Sequence, residues 1–186
     1  MYRQKELMEC FTQWEKHLKE QKIPTWDELP SLDLYMDQVL VLLNKYADIM
    51  RLTNSENVIT APMINNYVKL KIMPAPIKKK YNKVHLAYLI VICSLKQTLS
   101  MSTIQKIIPL NLSEDEVRGI YETFATNHKK VLKTTYEKVK DVSQYISDPE
   151  KQNSQGIYNL VIQNAIYSNL AKLLTEKLSD MQENND

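Results

Sequence analysis

Only two of the 186 residues are glycine, Gly119 and Gly156, and this scarcity narrows the fold more than any other feature of the chain. Folds that cradle phosphates or dinucleotides turn from strand into helix through glycine-rich loops, because only a residue without Cβ lets the backbone approach the phosphate. Two distant glycines can write neither a G-x-G-x-x-G nor a P-loop pattern. The sequence therefore argues against an α/β nucleotide enzyme and for helices, which its many Leu, Lys, Glu, Gln and Met residues also favour. Hydrophobic residues make up 44% and charged residues 25%, which suits a folded chain with one sizeable core, or a smaller core with a helical arm.

Cys10 and Cys93 lie far apart and suggest no disulfide framework. Cys93 falls in the most apolar stretch, roughly Val84 to Leu95, which is too short to span a bilayer and reads as a core helix around a buried thiol. Met1 to Glu9 is too charged for a secretion signal. The expected setting is a reducing cytoplasm, with no membrane.

Apolar spacing predicts helices over 4–21, 33–50, 61–71, 83–97, 102–109, 113–146 and 157–180. Ile23 to Pro30 reads as an extended connection pinned to the core by Trp26, and Ser31 or Asp33 is placed to cap the second helix. Thr60 offers an N-cap to the third helix, with Pro62 in its first turn. Lys71 to Tyr81, stiffened by Pro74 and Pro76, reads as a loop or short β-ribbon, and Asn82 caps the apolar helix after it. Ser113 and Glu116 form a capping box. Beyond it Val117, Tyr121, Phe124, His128, Val131, Thr135, Val139, Val142 and Ile146 step by three or four residues, close to a heptad seam. A break over 147–156 precedes the last helix. Two domains are expected: residues 1–112, and residues 113–186 as a helical hairpin or a dimerisation region.

The charges are unevenly spread. Residues 1–56 carry seven Lys/Arg against ten Asp/Glu, and residues 114–186 carry nine against twelve. Between Glu56 and Glu114 there are eight lysines and no acid. A face that gathers positive charge and avoids negative charge suits a polyanion, although a solvated surface also collects such runs by chance.

Catalytic chemistry is hard to find. His17, His85 and His128 are widely spaced, no H-E-x-x-H or paired Cys-x-x-Cys occurs, and His85 at the start of an apolar helix reads as a satisfied boundary residue. No catalytic residue, metal or cofactor is expected.

On a helix over 61–71, Ala61, Ile64, Tyr67 and Val68 share one side, and Pro62, Asn65, Asn66 and Lys69 share the other. Asparagine can bond adenine bidentately and lysine can donate to guanine. The following loop gathers Lys78, Lys79 and Lys80 beside Tyr81, the composition of a phosphate clamp.

These residues carry a resemblance. The run from Ile59 to Pro74, then Lys79, Lys80 and Tyr81, then a helix ending before Leu99, Ser100 and Ile104, resembles the winged helix-turn-helix of the MerR family. There a tyrosine-bearing recognition helix leaves through a Gly-Leu-Pro exit into a basic wing that ends in an Arg-Tyr-like pair. Tyr67, Pro74, Lys80, Tyr81, Leu99 and Ser100 match those places, whereas Lys71 stands where the pattern has glycine and lysine replaces the wing arginine. About ten residues separate the preceding helix from the recognition helix, where the pattern has a tight turn. The resemblance implies an all-α chain with a MerR-like core over about 57–110, and long C-terminal helices that dimerise. Most of residues 20–110, especially Leu32 to Asp37 and Asn65 to Leu70, also resembles a bacterial domain-of-unknown-function family, number 1836.

The expectation is a duplex-DNA-binding transcriptional regulator, with Thr60, Asn65, Asn66, Lys69, Lys71, Lys78, Lys79, Lys80 and Tyr81 at the DNA. A homodimer and a small-molecule effector are open as partners. The rival is a non-catalytic protein-interaction module, and a weaker third is peripheral contact with anionic membrane.

Overall fold

The computed structural model describes residues 4–20, 22–47, 59–147 and 154–183. Among them are seven α-helices: α1 (Gln4–Glu20), α2 (Met36–Ala47), α3 (Ala61–Lys69), α4 (Lys83–Leu95), α5 (Met101–Ile107), α6 (Glu114–Ser147) and α7 (Ser154–Glu183), with one 3-10 turn at Trp26–Glu28. The described part has helices and no named strand, in line with the scarcity of glycine. Each expected helix is present within a few residues. The last three residues of the second expected helix, 48–50, lie outside the described residues.

Two compact units divide the chain, Lys22–Asn127 with Ser179–Asp186, and Met1–Gln21 with His128–Leu178. The first is built around α4. Eight of its thirteen residues, from His85 to Cys93, are buried. A helix apolar on every side must be covered on every side, and the coverings come from all along the unit. Ile23, Trp26 and Leu29 come from the extended connection, Val39 and Leu43 from α2, Ile64 and Tyr67 from α3, Ile104 from α5, and Val117 and Tyr121 from α6. Trp26 meets Tyr121 edge to face, with ring centroids 6.1 Å apart, and the Tyr121 hydroxyl donates to the Pro24 carbonyl at 2.8 Å. These contacts hold the connection down as the sequence suggested. Glu28 closes its 3-10 turn by accepting from Lys22 and from the Thr25 amide at 2.8 Å. The lysine first, and then that amide, pull its carboxyl down to about 2.

Helix caps are local and largely follow the sequence. Asn82 accepts from the His85 amide at 3.3 Å, and its own amide donates to His85 Nδ1 at 3.2 Å. With the ring hydrogen on Nε2, His85 also donates to the Ala75 carbonyl at 3.0 Å, so the buried imidazole is satisfied on both nitrogens. The Ser113 amide and hydroxyl both donate to Glu116, completing the expected capping box.

Three local readings are corrected. Neither Ser31 nor Asp33 caps α2. Leu34 is held extended by an antiparallel bridge to Tyr81, so the helix starts later, with Tyr35 giving the first helical carbonyl and its amide donating to Gln38 Oε1 at 2.9 Å. Gly156 belongs to the first turn of α7 instead of the break before it. Val131 leaves the expected seam of α6 and is 64% exposed, while Leu132 is half-buried in its stead. His128, Leu132, Thr135, Val139 and Val142 then step 4, 3, 4, 3, which keeps the seam on one side of a straight helix.

In the second unit, Phe11 and Trp14 of α1 meet edge to face at 6.0 Å, and Lys138 of α6 lies 4.6 Å from the centroid of the Tyr167 ring on α7. Along α7, Val161, Ile166, Leu170, Leu173, Leu174 and Leu178 are all exposed. No described helix is long and apolar enough to cross a membrane.

Both cysteines are free, Cys10 exposed and Cys93 buried, and burial pushes the Cys93 thiol up to about 11. At pH 8, Ellman's reagent is expected to titrate one thiol at the rate of an open cysteine. The second should react at least about tenfold more slowly until the protein unfolds, because the thiolate is the reactive form. Cys10→Ser should remove the fast phase alone; two fast thiols would show that α4 is not buried.

Candidate functional site

The acid-free stretch folds into α3, the segment after it and the helix–loop–helix of α4 and α5, all within one unit. Thr60 occupies the N-cap position of α3 in extended conformation but makes no side-chain cap bond, and Pro62 lies in the first turn. Ile64 and Tyr67 are buried, Ala61 and Val68 are half-buried, and Pro62, Asn65, Asn66 and Lys69 are exposed. The two faces of α3 fall where the spacing places them. Desolvation pushes the Tyr67 phenol up to about 12. Tyr67 is therefore a core residue that turns the asparagine face outward.

The exit from α3 is a Schellman turn. The Lys71 amide donates to the Val68 carbonyl at 3.0 Å and the Ile72 amide to the Tyr67 carbonyl at 2.9 Å. Such a turn needs a left-handed residue, and Lys71 fills the place at φ 54°. Glycine is usual there because a Cβ is penalised. Gln105 of α5 donates to the Leu70 carbonyl at 3.1 Å, fixing the exit to the body of the unit.

The loop then closes into a two-residue hairpin. Ile77 and Lys80 exchange both backbone bonds, at 3.0 and 2.9 Å. Lys78 and Lys79, between them, stand at φ 49° and 64°. Positive φ at both central residues is the signature of a type I′ turn, whose preferred sequence is Asn-Gly. Four described non-glycine residues have positive φ, the fourth being Asn111 at 62°. Asparagine tolerates that conformation through local bonding; lysine has no such compensation. Three turn positions, Lys71, Lys78 and Lys79, thus hold lysine against its backbone preference, in a stretch without one acid.

The structure separates Tyr81 from the exposed lysines. Its ring is 2% exposed, edge to face with His85 at 5.6 Å, and its backbone pairs with Leu34 at 2.8 and 2.9 Å. It cannot present its hydroxyl to a phosphate alongside Lys78 and Lys79. Its place in the sequence signals the end of the hairpin, where the backbone bridge fixes the ring inward. Lys80 is half-buried, 5.5 Å from the centroid of the Tyr35 ring, within the range of a cation–π contact. Tyr35 was not legible as a partner, since it lies far off in sequence and meets Lys80 only through the Leu34–Tyr81 bridge. Lys83 is likewise 5.9 Å from the Trp26 ring centroid, and Lys106 pairs with Asp180 at 3.1 Å. Lys69, Lys71, Lys78 and Lys79 are exposed and have no ion pair among the described residues.

Residues 24–128, more than half of the chain, match the model of a family described as a domain of unknown function, DUF1836. No curated protein and no solved structure matches the chain.

If Lys71 is held against its preference by the Schellman turn, Lys71→Gly is expected to raise stability by about 1 kcal/mol in urea unfolding. Lys71→Val should lower it, since β-branched residues resist positive φ. A destabilising glycine would mean that the lysine side chain itself supports the turn.

Proposed function

Because the chain belongs to the DUF1836 family, whose description carries no activity, we propose from its surface that it is a non-enzymatic transcriptional regulator that binds duplex DNA. The observation that carries this reading is the set of left-handed lysines, Lys71, Lys78 and Lys79, in a stretch with no carboxylate. A backbone that would be easier to form with Gly or Asn keeps a cationic side chain at each of these places. Strain of this kind is tolerated where the side chain serves a function.

On this reading α3, the Ile77–Lys80 hairpin, α4 and α5, within about 57–110, form a MerR-like winged helix-turn-helix. Asn65, Asn66 and Lys69 face base edges and phosphates in the major groove, with Thr60 beside them at the N-terminus of α3. Lys71, Lys78, Lys79 and Lys80 hold the backbone. Tyr81 has a supporting role from within the core. Lysine in place of arginine keeps phosphate attraction and forgoes bidentate geometry, so affinity comes mostly from charge. The exposed apolar side chains of α7 favour a second copy as partner, and a two-fold dimer would read half-sites about 34 Å apart.

The test is fluorescence anisotropy of labelled duplex DNA across a salt series. Lys78→Ala, Lys79→Ala and Lys80→Ala combined are expected to weaken binding to every duplex. The salt slope should become shallower by about 1 for each lysine that contacts a phosphate. A triple variant that binds like the parent would remove the hairpin from the interface. No binding by the parent even at low salt would leave the basic face to an acidic protein partner.

A further inference from the structure

The unit built on α4 leaves one place unfilled. Between α4, the 107–112 segment and the first four turns of α6 lies a groove of about 310 Å³. Ala87, Tyr88, Val91 and Leu95, spaced along one side of α4, form one wall. Val117, Ile120, Tyr121 and Phe124 of α6 form the facing wall. None of the described residues that line it is charged. Its floor is firm, since Ala87, Tyr88, Val117 and Tyr121 are all buried core residues. Its mouth is open, with Ile120 exposed.

The polar groups of the lining are nearly all spent. The Tyr88 hydroxyl donates to the Pro109 carbonyl at 2.6 Å, Tyr121 to Pro24 at 2.8 Å, and the Thr123 hydroxyl to the Gly119 carbonyl at 2.9 Å. Asn127 remains, exposed, at the far end of the α6 wall, about 15 Å along the helix from Val117 at the usual rise per residue. An interior that otherwise packs closely thus keeps an elongated apolar slot with an amide at one end.

We propose that this groove is a binding site for an uncharged, largely apolar small molecule with a single polar end, its chain or rings between α4 and α6 and its polar end at Asn127. Small-molecule sites run from about 300 to 1,000 Å³ and are mostly apolar with a few placed polar groups. The groove is at the lower end of that range. A docked protein helix, about 10 Å across with its side chains, needs a longer trough. No described lining residue is a cation that could pair with a carboxylate, so a neutral polar end bonded to the Asn127 amide is favoured over a charged one, whose neighbouring groove wall is apolar. The proposal stands whether or not the protein binds DNA.

The probe is the neutral fluorophore N-phenyl-1-naphthylamine, titrated into the full chain. Saturable enhancement at one site per chain is expected. Val91→Trp, which fills the slot, and Ile120→Lys, which places a charge at its exposed mouth with little risk to folding, should each weaken binding at least tenfold. Decanol should displace the probe, and decanoate should need at least tenfold more. Binding that survives both substitutions, as binding to the apolar face of α7 would, overturns the proposal. So does equal competition by decanoate. If the parent takes up no probe and Ile120→Lys converts a dimer to a monomer in sedimentation, the groove is covered by protein and the small-molecule reading fails.

Discussion

A helix with no polar face has to be covered on most of its surface, and α4 is that helix. Leu86, Leu89 and Ile92 are fully enclosed, and each fully buried aliphatic side chain is worth about 1.5–3 kcal/mol relative to exposure. The requirement organises the unit. The extended connection, α2, α3, α5 and the start of α6 each bury their apolar residues against it or its neighbours. The N-terminus of α4 also anchors the basic loop. His85 bonds the Ala75 carbonyl, and Tyr81 bonds Leu34 just before α2. The hairpin is therefore tied to the core on both sides of its turn, and Lys78 and Lys79 project from a fixed base.

A fixed base explains how the turn tolerates its sequence. Type I′ geometry with lysine at both central positions is unfavourable locally. It persists where surrounding contacts over-determine it, here the paired backbone bonds of Ile77 and Lys80 together with the Tyr81 bridge. The same holds at Lys71, where the buried neighbours Tyr67 and Ile72 complete the Schellman motif. Local preference gives way to position at three lysines, and position puts positive charge on the surface of a segment that has no acid.

Most of the helices were legible because their signals are local. Asn82, Ser113 with Glu116, and the alternating faces of α3 depend on residues three or four apart. What was hidden depends on distance in sequence. No pattern at Ser31 or Asp33 reveals that Leu34 pairs with Tyr81, and that pairing alone delays α2. Val131 and Leu132 are adjacent aliphatics, and the choice between them is made by packing. Lys71 could be read as standing at a glycine position, yet Lys78-Lys79 carries none of the Asn-Gly signal that marks a tight hairpin. Tyr81 looked like the end of a phosphate clamp from its neighbours, and its burial follows from α4. Nor does any local pattern say that α1 groups with the distal part of α6 and with α7.

In the proposed DNA-binding role, lysine is kept in the hairpin turn for its charge and against the preference of the backbone. The most direct measurement replaces Lys78 by Asn and Lys79 by Gly in one variant, then follows both urea unfolding and duplex-DNA anisotropy. Opposite signs are expected: a higher unfolding midpoint, because Asn-Gly suits the type I′ turn, and weaker DNA binding with a shallower salt slope. A variant that gains stability and binds DNA as tightly as the parent would contradict it.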